Sequence, residues 1–211
     1  MHRILITDDH ALVRMGLKQL LQASFGKCVI GEAQNGGEAL EQVASKPWDV
    51  VVLDISMPGR SGVDVLRDIK ALKAALPVLI LSACSEDQFA VRVLKAGASG
   101  FLRKDSAPEE LVAAIKQVIA GRKYITASVA EKLASNLNDQ GTTRPPHETL
   151  SNREFEIMCL IARGRTVSQI AKSLNLSVKT VSTYRTRVIE KLHLSTNAEV
   201  TYYAIKSGLV D

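Results

Sequence analysis

The chain has 211 residues, 46% of them hydrophobic and 23% charged, with a formal net charge of +5. These are globular values, sufficient to bury a sizeable core, and the length has room for one large domain or two of ordinary size. No apolar run approaches the roughly 20 residues of a membrane span, and the opening MHRILITDDH turns acidic too soon for a secretory leader. Cys28, Cys84 and Cys159 are scattered among apolar neighbours without C-x-x-C spacing, which predicts reduced cysteines, not a disulfide framework or a zinc site. The expectation is a cytoplasmic protein with no membrane partner.

The positive charge is uneven. Residues 1–122 hold 15 Lys/Arg against 14 Asp/Glu, whereas residues 123–211 hold 12 against 8. A basic C-terminal third points to a polyanionic partner.

In chain order, RILIT (3–7), CVIGEA (28–33), VVVLD (50–54), PVLILSA (77–83) and GFLRK (100–104) read as short buried strands. Between them, ALVRMGLKQLLQA, GGEALEQVAS, GVDVLRDIKALK and DQFAVRVLKAG carry helical periods, and PEELVAAIKQVIAG closes the series. Five such units predict a parallel sheet covered by helices on both faces, an α/β doubly wound domain over residues 1–122. Val129, Leu133 and Leu137 recur every four residues, so ITASVAEKLASNL reads as a short connecting helix. NDQGTTRPPHET, 138–149, has no apolar residue and contains Gly141, Pro145 and Pro146, so residues 123–149 form a solvated linker around that helix.

A doubly wound sheet works at the carboxyl ends of its strands. Here the first strand ends in Asp8-Asp9, the third in Asp54, the fourth in Ser82 and the fifth in Lys104. A polar strand end can serve only to meet water. Three carboxylates at one edge, however, repel one another unless a cation sits among them. An oxygen-rich, open site with only His10 nearby suits Mg²⁺ better than Zn²⁺. With the Ser82 hydroxyl and the Lys104 ammonium, this set surrounds Asp54 as a phosphoryl group requires.

The first 122 residues resemble the receiver domain of two-component response regulators, a flavodoxin-like five-stranded fold. The resemblance implies Asp54 as phosphoacceptor, with a sensor histidine kinase as donor. It also implies Asp8 and Asp9 as the acidic Mg²⁺ pair, with Asp9, Asp54 and the Ser56 carbonyl as direct ligands. Ser82 and Lys104 would bind the phosphoryl oxygens, and Phe101, three residues before the lysine, matches the family's switch aromatic. Asp105 stands where many receivers carry proline. Ser56 and Cys84, each two residues past a site residue, occupy positions that tune dephosphorylation in the family. The only catalysis implied is the protein's own phosphoryl transfer and slow autodephosphorylation.

Residues 150–211 read as a small four-helix domain. Ser151 and Glu154 make a capping box opening SNREFEIMCLIARG, with Ile157, Leu160 and Ile161 as its buried stripe and Gly164 as its stop. VSQIAKSLN follows, buried through Val167, Ile170, Ala171 and Leu174, and the turn NLS leads to VKTVSTYRTRVIEKLH. Two helices across so tight a turn predict helix-turn-helix. Val178, Val181, Val188 and Leu192 lie within about 80° of one another on the second of them. Lys179, Thr183, Thr186 and Arg187 fall on the opposite face with Ser182 at its flank, a set suited to phosphates and base edges. Arg185 points inward by periodicity and predicts an ion pair with Glu154 or Glu156.

LSNREFEIMCLIARG, QIAKSLNLSVKTVSTY and EKLHL resemble the LuxR-type output domain of the NarL/FixJ class, and TVSTYR is similar to its GacA/UvrY branch. The resemblance implies a double-stranded DNA partner, a homodimer on activation, and RNA polymerase as a further partner. The last helix, with Val200, Tyr203 and Leu209, either resembles the family's dimer surface or packs within the domain. Two other classes compete with this reading. A haloacid-dehalogenase-like phosphatase would carry D-x-D on the first strand, where Asp8-Asp9 stands. A ligand-sensing LuxR-type regulator would need an aromatic-lined pocket, yet residues 1–122 hold only Phe25, Trp48, Phe89 and Phe101.

Overall fold

The computed structural model describes all residues except 58–59, 83–86, 127–128, 132–133, 135–144 and 211, and of residues 87 and 88 the backbone only. The chain divides into two units, Met1–Leu133 and Ala134–Asp211. The proposed connecting helix over 125–137 lies largely outside the described residues, as do Pro58, Gly59 and Cys84.

The first unit alternates β1 (His2–Thr7), α1 (Ala11–Phe25), β2 (Cys28–Ala33), α2 (Gly36–Ser45), β3 (Val50–Asp54) and α3 (Gly62–Leu72). It continues with β4 (Val78–Ser82), α4 (Asp87–Lys95), β5 (Gly100–Arg103) and α5 (Pro108–Ile119). All neighbouring strands are parallel, in the order β2-β1-β3-β4-β5. That order reverses between β1 and β3, which opens a crevice at their carboxyl ends.

Side chains alternate across the strands, and both faces are covered. Ile4, Ile6, Val50, Val52, Leu79, Leu81 and Leu102 pack with Leu21 of α1 and Leu111, Ile115 and Val118 of α5. The opposite parity, Leu5, Val51, Leu53 and Ile80, is equally inaccessible to solvent. This is why β3 and β4 read as continuous apolar runs, not alternating ones. Burial of such side chains is worth about 1.5–3 kcal/mol each against exposure.

β1 ends where the sequence predicts, and β5 ends one residue earlier than predicted. β1 stops at Thr7 and β5 at Arg103, so Asp8, Asp9 and Lys104 stand just past their strands. The β1 ladder ends where Thr7 pairs with Ala33, and the chain then turns into α1. Beyond α5, Tyr124 makes an isolated parallel bridge to Gly100 on the open edge of β5. No apolar period announces that contact.

From Pro146 onward the second unit has a 3₁₀ turn, Pro146–Thr149, followed by α6 (Asn152–Ala162), α7 (Val167–Ser173), α8 (Val178–Leu192) and α9 (Asn197–Lys206). The Ser151/Glu154 capping box forms as the sequence predicts, and Thr166 with Gln169 makes a second one. Asn175 takes a positive φ of 49° between α7 and α8, a conformation its short polar side chain tolerates. Ser177 caps α8 by accepting from the Thr180 N–H. Phe155, Ile157, Met158, Ile170, Leu174, Val181, Val188 and Val200 form the core.

Several expectations fail here for physical reasons. Val178 is 51% exposed, because it occupies the first turn of α8, where the chain has just left the turn and meets no core residue. Arg185 pairs with neither glutamate: its Nε donates to Asn197 Oδ1 at 2.5 Å. Glu154 is taken by Lys191 (2.6 Å) and Glu156 by Arg153 (2.6 Å). Leu160 and Val167 are only half-buried. His147, within the segment read as solvated, is buried, and its Nδ1 lies 2.9 Å from Tyr203 Oη. Val200 and Leu209 are buried inside the domain, and Tyr203 takes the His147 contact; Tyr202 and Ile205 are large apolar residues exposed on α9.

Candidate functional site

Four strand ends bring Asp8, Asp9, Asp54, Ser82 and Lys104 to the carboxyl edge of the sheet. Asp8 and Asp54 are 1% exposed and Ser82 is fully buried. Lys104 Nζ stands 2.7 Å from Asp8 Oδ2 and 2.7 Å from Asp54 Oδ2. Its directed hydrogen bond goes to Asp8. Asp54 Oδ2 is at ion-pair distance from the ammonium but accepts no hydrogen bond of proper geometry. The other oxygen, Asp54 Oδ1, accepts from the Ser56 backbone N–H at 2.9 Å. The Asp54 carboxylate is thereby oriented by one oxygen and left with undirected lone pairs on the other.

Burial pushes the Asp54 carboxyl above its usual range; Lys104 opposes this and the Asp8 charge adds to it. Burial alone would lower the Lys104 ammonium, but Asp54 and Asp8 together more than offset it and hold the group above the ordinary lysine value.

One ligand atom from each of Asp8, Asp9, His10 and Asp54 lies within 4.8 Å of the others. Asp9 Oδ1, like Asp54 Oδ2, is buried without a hydrogen-bond donor of good geometry. Two such oxygens in a carboxylate-rich cluster fit a hard divalent cation. The sequence marks His10 only as a neighbour of the acidic pair. Its exposed ring reaches 2.9 Å from Asp9 Oδ1, and its backbone N–H donates to Asp8 Oδ1 at 2.8 Å. Adjacency is the only sequence signal for this. Phe101 is buried on β5, and its N–H donates to the Tyr124 carbonyl. Lys104 is anchored by its own N–H on the Ser82 carbonyl at 2.8 Å.

On α8, Lys179, Ser182, Thr183, Thr186 and Arg187 are all exposed, so one helix carries the predicted outward set together. Thr183 Oγ1 donates to the Lys179 carbonyl at 3.0 Å and Thr186 Oγ1 to that of Ser182 at 3.1 Å. The Arg187 guanidinium sits 5.9 Å from the Tyr184 ring centre, within cation–π range. Nothing in the sequence pattern singles out that pair.

Comparison with known proteins finds a family for each half of the chain. Residues 4–116 match the family model of the response regulator receiver domain, and residues 148–204 match that of bacterial regulatory proteins of the luxR family. Response regulator UvrY of Escherichia coli (strain K12) is 38% identical over 209 residues, covering 99% of this chain and 96% of UvrY. Response regulator GacA of Pseudomonas aeruginosa (strain PAO1) is 37% identical over 211 residues, covering 100% of this chain and 99% of GacA. A solved structure of two RcsB dimers bound to two parallel DNAs superimposes with a TM-score of 0.59 at 25% identity, over 97% of this chain and 98% of that one. The receiver match occupies the half where a ligand-sensing regulator would need its pocket. Among the described residues no helix is long and apolar enough to cross a membrane.

Proposed function

The chain belongs to the response regulators that join a receiver domain to a LuxR-type DNA-binding output domain, and we propose that Asp54 is its phosphoacceptor. The observation that carries this is the buried Asp54 carboxylate, with Oδ2 held 2.7 Å from Lys104 Nζ and Oδ1 fixed by the Ser56 N–H. An Asp54 oxygen attacks the phosphorus of a kinase phosphohistidine. The P–N bond breaks, its electron pair returns to the imidazole, and an acyl phosphate results. Lys104 and the Ser82 hydroxyl receive the equatorial oxygens, where negative charge gathers in the transition state.

Asp8, Asp9, Asp54 and the Ser56 carbonyl would hold Mg²⁺, which when bound supplies positive charge to the carboxylates and the incoming phosphoryl group. The added charge of about −1.5 to −2 is sensed by Ser82 and by Phe101 on the neighbouring strand. Both act on a two-state equilibrium of the unit's surface. The output is a homodimer that grips double-stranded DNA through Lys179, Ser182, Thr183, Thr186 and Arg187, in the cytoplasm and in reach of RNA polymerase. RcsB, a structural relative, has been captured as dimers on DNA. Beyond its own phosphoryl transfer and slow hydrolysis of the product, the chain catalyses nothing.

Intact-mass measurement after treatment with Mg²⁺ and acetyl phosphate tests the assignment. One alkali-labile phosphoryl group should appear on the native chain and none on Asp54→Asn. Undiminished labelling of that variant would overturn it.

A further inference from the structure

We propose that Thr183 and Thr186 read DNA as hydrogen-bond acceptors, each taking a hydrogen bond from the exocyclic amino group of an adenine or a cytosine. The inference rests on α8 being the helix that enters the major groove. A carbonyl oxygen can only accept, so the Thr183 contact to Lys179 O and the Thr186 contact to Ser182 O each consume the hydroxyl proton. What remains toward solvent on each Oγ1 is lone pairs.

Back-bonding of this kind is ordinary for helical threonine, and Thr201 does the same to the Asn197 carbonyl on α9. Its consequence depends on place. On α8 both hydroxyls belong to the exposed set between Lys179 and Arg187. In the major groove the donors are adenine N6–H₂ and cytosine N4–H₂, whereas guanine N7 and O6, adenine N7 and thymine O4 accept. A threonine already donating inside its helix fits the first group. To meet the second it must break its intrahelical bond. The three-residue spacing separates the two threonines by about 4.5 Å along the helix axis, so they stand one turn apart on the same outward face. Ser182 makes no hydrogen bond through its hydroxyl among the described residues and keeps the freedom to donate or accept.

The test uses the full chain, with Mg²⁺ and beryllofluoride, on a duplex selected from a random library. Each adenine of that duplex is replaced in turn by purine, and each cytosine by 2-pyrimidinone, deleting the amino group alone. Parallel duplexes carry 7-deazapurines, which delete the N7 acceptor alone. One amino deletion should weaken the native chain by about two- to ten-fold. Thr183→Val, which keeps the β-branched shape and loses the oxygen, should bind that duplex and its parent equally. Thr183→Ser should restore the difference and so shows that the helix is intact. Coupling of Thr183→Val to a 7-deaza position instead would mean that the hydroxyl donates, and the proposal falls. Coupling to no base also overturns it, while a weakened Lys179→Ala on every duplex would leave the major-groove reading standing. Should Lys179→Ala and Thr183→Val both bind like the native chain, the groove assignment itself fails, and the proposal with it.

Discussion

Lys104 shares its ammonium between two buried carboxylates, 2.7 Å from Asp54 and 2.7 Å from Asp8, which approach it from different strands. Removing it leaves two like charges facing each other in a poorly solvated pocket. Lys104→Met should therefore lose stability in the absence of divalent cations, at most about 3 kcal/mol because the lysine is itself partly exposed. Mg²⁺ should recover part of that loss and raise the melting temperature of the variant more than that of the native chain. Equal Mg²⁺ responses in the two proteins would show that Lys104 does not hold the carboxylates apart. Phosphoryl uptake should fall in the same variant even when Mg²⁺ saturates it.

Gly62 opens α3 directly under the end of β3. A Cβ there would lie 2.6 Å from Ile55 Cα and 2.7 Å from the Asp54 carbonyl, both of them backbone atoms that cannot swing away. Gly62→Ala should cost about 1–3 kcal/mol by denaturant unfolding. It should also slow labelling at Asp54, since the strand end must shift to make room. A variant of native stability and native labelling rate would contradict the close approach.

Glu154 supplies a pH dependence to the output domain. Burial alone would raise its carboxyl; the Lys191 ammonium and the Ser151 N–H and hydroxyl outweigh that and hold it below the usual value. A depressed folded-state pKa contributes stability that is complete above the unfolded value of about 4.3 and is lost as pH falls through the folded one. Stability should thus decline below about pH 4.3, and Glu154→Gln should flatten that decline. At neutral pH the same change should cost near the low end of about 1.5–3 kcal/mol, because Lys191 is half in water. A native acid limb in Glu154→Gln would place the effect elsewhere.

The sequence legibility of the two halves differs for a physical reason. Strands buried on both faces produce unbroken apolar runs, and an acid or a lysine closing such a run has few purely structural uses, so Asp54, Ser82 and Lys104 stand out. The second helical period is equally legible: GGEALEQVAS coincides with α2, Gly36–Ser45. The interior of the output domain is less so. Periodicity turns Arg185 inward, but a long side chain can leave the helix sideways, and it reaches Asn197. Arg153 and Glu156, three apart, pair through Glu156 Oε2 inside the core, so their burial leaves no hydrophobic trace. Tyr203 holding His147 joins residues 56 apart, which no local pattern can announce.

Coupling between the halves is open to measurement through assembly. Two output domains on one duplex gain affinity only when both engage together. Sedimentation with beryllofluoride and Mg²⁺ should show self-association of the native chain and none for Asp54→Asn. Duplexes with two half-sites should gain far more from activation than single half-sites. A monomer that tightens equally on both would replace dimerisation with a change inside one chain.

Lys179 and Arg187 lie eight residues apart on the exposed face of α8 and differ from the threonines between them in carrying charge. Removing a cation that neutralises one phosphate should lower the slope of log affinity against log salt by roughly 0.9. Lys179→Ala and Arg187→Ala should therefore weaken selected and scrambled duplexes alike and flatten the salt dependence. Arg187 also faces the Tyr184 ring, so Tyr184→Leu should loosen its placement and reproduce part of its loss without removing a charge. Thr183→Val should leave the slope unchanged and act only on the selected duplex. Titrations of these four variants across a salt series on both duplexes decide the matter. A salt slope altered by Thr183→Val, or a sequence-selective loss in Lys179→Ala, would mean that α8 meets DNA in a different rotation about its axis.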